Sequence, residues 1–191
     1  MARFLAPLAA PWWIAGGWAI DLFLGRQTRE HEDTDVQVLR RDQYAVRALF
    51  GAWNMEAALP PPRDESWPFR PWGPDEVLDP AIHDIWCRPA STQPWALQLM
   101  IADTGGGKWV FRRTSRVTRP VAALGSVTAD GIPYLAPEIQ LLYKAKGRRP
   151  KDEADFMRAL PMLDRVRRQW LWNALTIAHP HHPWLELLAD G

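Results

Sequence analysis

Apolar residues run in short blocks through the first two thirds of this chain and at helical spacing through the last third. Trp12–Ala15 is a compact apolar block that ends at Gly16-Gly17 and reads as a strand, and Gly17–Leu24 continues with helical periodicity. Thr34–Leu39 alternates as a strand does, with Val36 and Val38 directed to the core. Asp42 stands where an N-cap belongs for a helix through about Phe50. Trp53–Leu59 reads as another strand, stopped by Pro60-Pro61-Pro62. A Pro/Trp-rich connection then runs to about Asp79, longer than compact domains usually spend on a loop without function. His83–Arg88, Trp95–Ala102 and Lys108–Arg112 read as three strands, the last two joined as a hairpin at Gly105-Gly106-Gly107.

The pattern changes at Pro137, which suits the first position of a helix ending near Gly147. Pro150 starts a second helix to about Leu160, and Asp164 caps a third whose Val166, Trp170, Leu171, Ala174, Leu175 and Ala178 form one apolar stripe. His179-Pro180-His181-His182-Pro183 breaks it before a last short turn. The expected fold is α+β: a mixed β-sheet flanked by helices over residues 1–133, then a C-terminal helical subdomain over 134–191.

Composition narrows this only slightly. At 191 residues and 47% hydrophobic content the chain can bury a sizeable core. Its net charge of +1 gives no global reason to expect nucleic acid or a membrane as partner. Cys87 is the single cysteine, so no disulfide forms within the chain, which suits a reducing cytoplasm. The apolar run after Arg3 resembles the start of a signal peptide, but it contains Gly16-Gly17 and meets Asp21, and a core strand and helix account for it. The expectation is a cytoplasmic protein.

The informative chemistry lies in the spacing of two glycines and two aspartates. Gly16 and Gly17 join a strand to a helix, where backbone amides, including that of Trp18, can approach phosphates at the positive helix end. Asp33 and Asp35 open the next strand two residues apart, so both carboxylates can hold one divalent cation, or two, against a polyphosphate.

The string Gly-Gly-Trp-Ala-Ile-Asp, Leu24-Gly25-Arg26, Thr28-Arg29-x-His31-x-Asp33-x-Asp35 resembles the DNA polymerase beta-like nucleotidyltransferases, and more narrowly the aminoglycoside and lincosamide nucleotidyltransferases. The match covers about residues 12–38. Pro137-Glu138…Lys144 and Arg149–Phe156 are similar to the helical tail of the small members of that group. The resemblance implies a nucleotidyltransferase core that moves a nucleoside monophosphate, AMP from ATP first, to a hydroxyl of a small molecule such as an aminoglycoside or lincosamide. Mg²⁺ on Asp33 and Asp35 is implied as cofactor, with Gly16, Gly17 and Trp18 on the triphosphate. Either Arg29 or His31 reaches the same phosphates, and Lys144 or Lys151 from the tail contacts the triphosphate or the acceptor. The superfamily adds a third carboxylate from a neighbouring strand. By strand order that place falls at Gln98, a neutral and poor base, so Asp84 is assigned as catalytic carboxylate, with Asp103 as the other candidate. The alternatives are a protein-adenylylating or antitoxin-like nucleotidyltransferase and a catalytically decayed nucleotide-binding module, with a second copy in a homodimer or another protein as the candidate partner.

Other conspicuous residues have plainer readings. Asp21 is expected to make a structural bond with Arg26 or Arg29, and His31 serves either the metal site or its own loop. His179, His181 and His182 read as a surface turn rather than zinc ligands. Cys87 reads as packing, and Trp67 and Trp72 as core cover rather than an acceptor platform. Arg112-Arg113-Thr114-Ser115-Arg116, with Arg119, reads as a solvated edge. A polycationic acceptor would want an acidic cleft, and Asp75, Glu76 and Asp79 are the dense acidic group near the Pro/Trp-rich loop.

Overall fold

The computed structural model describes residues 1–60 and 69–189. A one-turn helix α1 (Ala2–Leu5) precedes β1 (Trp12–Ile14), which passes through Ala15 into α2 (Gly16–Leu24). Then come β2 (Asp35–Leu39), α3 (Gln43–Phe50), β3 (Asn54–Ala58), β4 (Phe69–Pro71), β5 (Asp84–Arg88), β6 (Leu97–Gly105), β7 (Lys108–Val110), β8 (Thr118–Pro120), β9 (Gly125–Val127) and β10 (Pro133–Leu135). The chain closes with α4 (Pro137–Lys144), α5 (Pro150–Ala159), α6 (Arg165–Ala178) and α7 (Trp184–Ala189).

The sheet runs β4-β3-β5-β6-β2-β1-β10-β9, with β7 and β8 continuing from the end of β6. It is mixed: β2 pairs with β6, and β1 with β10, in parallel, while the other pairs are antiparallel. Alternation along β1 and β2 separates two apolar layers. Ile14, Val36 and Val38 face one side with Leu5, Leu8, Val46 and Phe50. Trp13, Ala15 and Leu39 face the other, against Ala19 and Ile20 of α2 and Leu141, Leu142, Phe156 and Leu175 of the tail. The tail helices therefore share a core with the sheet. Phe156 stacks on Trp184 at 4.1 Å with both rings nearly fully buried, and burial of side chains this size is worth about 1.5–3 kcal/mol each.

Local chemistry explains most element ends. Gly106 and Gly107 take positive φ between paired Gly105 and Lys108, as a tight hairpin requires. Pro137 and Pro150 open their helices, and Asp164 accepts the Arg167 amide at 2.8 Å as an N-cap. Asp42 precedes α3 without a side-chain cap bond, because Arg40–Asp42 already turns as a 3₁₀ helix.

Four strands escape the sequence pattern. β4, β8, β9 and β10 have three residues each, too few for alternation to show, and three of them contain proline. Trp72 is buried as core cover, with its indole donating to the Glu76 carbonyl at 3.0 Å, whereas Trp67 lies outside the described residues. Val166 departs from the expected stripe of α6: it is 76% exposed, and Leu171, Ala174 and Leu175 carry the buried face. The histidine segment also differs from a surface turn. His182 is buried, its Nδ1 accepts the Trp184 amide and its Nε2–H donates to the Ala145 carbonyl, so a neutral ring seats α7. Cys87 is buried, and burial pushes its thiol pKa up, consistent with packing.

Candidate active site

A cleft of about 790 Å³ opens where β1 ends and β2 begins. Its lining includes Gly16, Gly17, Arg29, His31, Asp33, Asp35, Asp84, Lys144 and Lys151 from the sequence expectations; Trp18 is not part of it. Asp35 is the first residue of β2 and Asp33 lies in the bend before it. Burial drives the Asp35 carboxyl up to about 6; the negative charges of Asp33 and Asp84 add to the rise, while Lys144 and Arg149 oppose it.

The glycines are required here by close approach. Gly16 has φ +65°, and a Cβ on it would overlap the Asp35 carboxylate. Its amide donates to Gln140 Oε1 at 2.8 Å and is thereby held within the protein. A Cβ on Gly17 would overlap Arg29 and His31. His31 bonds through Nε2 to Asp21 Oδ2, and Trp18 packs against its ring at 4.4 Å with the planes tilted by 34°, so His31 fixes the loop. Asp21 bonds His31 and Thr28 rather than Arg26 or Arg29.

The cationic wall comes from the tail. Lys144, buried at the end of α4, contacts Asp152 at 3.0 Å and Asp155 at 2.8 Å on α5. Arg149 binds Asp152 through two nitrogens, and Arg29 binds Asp155 through two more. Two buried aspartates thus fix three cations from separate segments, and Lys151 adds an exposed fourth at the rim. Burial works against ionised Asp152, yet its bonds to Arg149 and Lys144 hold its pKa below the usual carboxylate value.

Gln98 occupies the strand position expected for the third carboxylate, and Asp84 is bonded to it. Gln98 is in register with Asp35 on the neighbouring strand and donates to Asp84 Oδ1 at 2.8 Å. Arg112 donates to Asp84 Oδ2 at 3.1 Å. Asp103 pairs instead with Arg40 and does not line the cleft. Arg112 and Arg113 are a correction to the solvated-edge reading: both line the cleft. Arg113 donates to the Tyr143 carbonyl at 3.1 Å, and burial, then the neighbouring Arg112, lowers its pKa to about 10. Arg149, Gln140, Tyr143, Trp86 and Phe69 also line the cleft and were not singled out from sequence. Glu76 is consumed by a pair with Arg70, while Glu30 and Glu32 supply exposed acidic charge at the cleft rim.

Among the described residues no three His, Cys, Asp or Glu side chains form a metal-binding group. Two hard carboxylates do fit Mg²⁺ bound together with phosphate oxygens and water, and the crowded negative charge on Asp35 is what a cation would relieve. No helix among those residues is long and apolar enough to cross a membrane.

Comparison with known proteins places the family and the fold. Residues 2–158 match a family model described as aminoglycoside-2''-adenylyltransferase. A 2''-aminoglycoside nucleotidyltransferase of Escherichia coli is 65% identical over 49 residues, 24% of this chain and 28% of that protein, and one from Klebsiella pneumoniae matches equally. The matched stretch thus spans under a third of those relatives. The solution structure of the antibiotic-resistance factor ANT(2'')-Ia shares the fold at TM-score 0.53 and 20% identity, covering 94% of this chain and 93% of that one. The lincomycin-bound crystal structure of the lincosamide adenylyltransferase LnuA superposes at TM-score 0.52 and 17% identity over 82% and 89% of the two chains.

Proposed function

Since residues 2–158 carry that match, the chain belongs to the aminoglycoside-2''-adenylyltransferase family, and we propose that its cleft transfers AMP from ATP to a hydroxyl of an aminoglycoside-type acceptor. The observation that carries this reading is the meeting of Asp33, Asp35 and Asp84 in one cleft opposite Lys144, Arg149 and Lys151. That arrangement gives a polyphosphate a cationic wall and gives an acceptor hydroxyl a carboxylate.

In this mechanism the acceptor oxygen attacks the α-phosphorus. A new P–O bond forms as the bond to the bridging α–β oxygen breaks, and pyrophosphate leaves. The hydroxyl proton passes to Asp84, whose two oxygens are oriented by Gln98 and Arg112. Lys144, Arg149 and Arg29 face the charge on the phosphates. Mg²⁺ on Asp33 and Asp35 would neutralise the triphosphate and favour in-line displacement. Asp84 beside Gln98 also supplies the carboxylate that a decayed binding module would lack.

The test is a thermal-shift titration with ATP, GTP, CTP and UTP, with and without Mg²⁺, followed by AMP transfer to an aminoglycoside. A nucleotide at a hundred times its Kd should add roughly 2.7 kcal/mol of stability. The expected result is a metal-dependent ATP shift that disappears in Asp33→Asn/Asp35→Asn. Asp84→Asn should keep the shift and lose about 10²-fold or more in kcat. Absence of any nucleotide shift in the wild type would sink the reading.

A further inference from the structure

Register across the sheet places aromatic side chains beside and beyond Asp84, on the face that carries Asp35. Asp35 pairs with Gln98 on β6, and Gln98 pairs with Trp86 on β5, so these three side chains stand in a row on one face. Asp84 is two residues before Trp86 and shares that face. Asp84 in turn pairs with Ala58 on β3, and Ala58 with Phe69 on β4, which carries the face outward to a second ring. Strand spacing puts the Trp86 strand about 9.6 Å from that of Asp35. The order across the cleft is thus phosphate-binding carboxylate, Gln98, the Asp84–Trp86 strand and outer Phe69.

Trp86 and Phe69 both line the cleft, and Phe69 is 45% exposed. Trp95 braces both, with ring centroids 6.1 Å from each, and the Arg88 guanidinium covers Trp95 at 4.0 Å. Two rings of this set are left facing the cleft, beside the carboxylate that receives the acceptor proton. Glu30 and Glu32 at the rim add negative charge.

We propose that Trp86, with Phe69 at its outer end, is the platform for the acceptor, and that it selects a saturated saccharide or cyclitol ring. The C–H face of such a ring lies on the indole while its ammonium groups turn toward Glu30 and Glu32. This assignment rests on the adenylyl-transfer reading for the identity of the acceptor.

The experiment compares wild type with Trp86→Ala, Trp86→Phe and Phe69→Ala, using tobramycin and lincomycin as probes. Trp86→Ala should raise the tobramycin KM at least tenfold with a smaller change in kcat, Phe69→Ala should raise it less, and Trp86→Phe should return it to within about threefold. The Mg²⁺-dependent ATP thermal shift should stay at the wild-type value in all three. Independently of turnover, tobramycin should move the Trp86 indole N–H resonance, identified by its loss in Trp86→Phe. If both probes leave that resonance in place, or if Trp86→Ala weakens ATP rather than tobramycin, the platform is wrong. Tobramycin binding on Trp86 without AMP transfer would keep the platform and remove the transfer reading. Transfer with an unchanged KM in Trp86→Ala would do the reverse.

Discussion

Asp35 concentrates the electrostatics of the cleft in one side chain. Its folded pKa is raised from 3.8 to about 6, chiefly by burial and next by Asp33, so between about pH 4 and 6 the native state holds a proton that the unfolded chain has released. Stability from this group is therefore highest at low pH and declines as pH rises from about 4 through 6. Asp35→Asn, in chelator and without nucleotide, should stabilise the protein by up to about 3 kcal/mol at pH 7.5 and by less than about 1 kcal/mol at pH 4. Urea unfolding at the two pH values measures this, and an equal effect at both would exclude the electrostatic cause. Asp33, Asp35 and the glycines were legible in sequence because their spacing is local. Trp86, Phe69, Arg112 and Arg113 were not, because they reach the cleft through strand register and the β7–β8 connection, which a linear reading does not contain.

Helices α4 and α5 are joined across their facing ends by charge as well as by apolar packing. Asp155 is 1% exposed and holds Lys144 and Arg29 together, so Asp155→Ala leaves a buried ammonium with one partner fewer. Loss of one member of such a buried set costs about 3–5 kcal/mol, and chemical denaturation should read that amount, together with a weaker ATP-induced thermal shift. A cost below 1 kcal/mol would mean that Asp152 alone suffices for Lys144. The helices themselves were readable from their proline starts and 3.6-residue period, as were the longer strands β2 and β6. β10 was not, although it provides the parallel neighbour of β1: Pro133-Tyr134-Leu135 has no pattern until β1 is placed beside it. The Lys144–Asp152–Asp155 cluster was visible as charge but not as a network, since a basic helix end followed by an acidic first turn has the same sequence as a solvated one.

At the scale of the molecule, the sheet and the tail complete one another. Ending the chain at residue 136 would uncover Trp13, Ala15, Ile20 and Leu39, which the tail helices help to bury. Such a fragment should show no cooperative thermal transition and should partition to the insoluble fraction; a soluble fragment melting like the whole chain would show that the sheet half folds alone. The long reach of the site's bonds also sets an order in time. Gly16 binds Gln140 across 124 residues of sequence, and Arg29 binds Asp155 across 126. At 5–20 residues per second, translation separates those partners by roughly six to twenty-five seconds. Throughout that interval the emerging chain carries Asp33 and Asp35 with no cationic wall opposite them. The cationic wall proposed for the triphosphate is therefore completed only once residues 144–155 have left the ribosome.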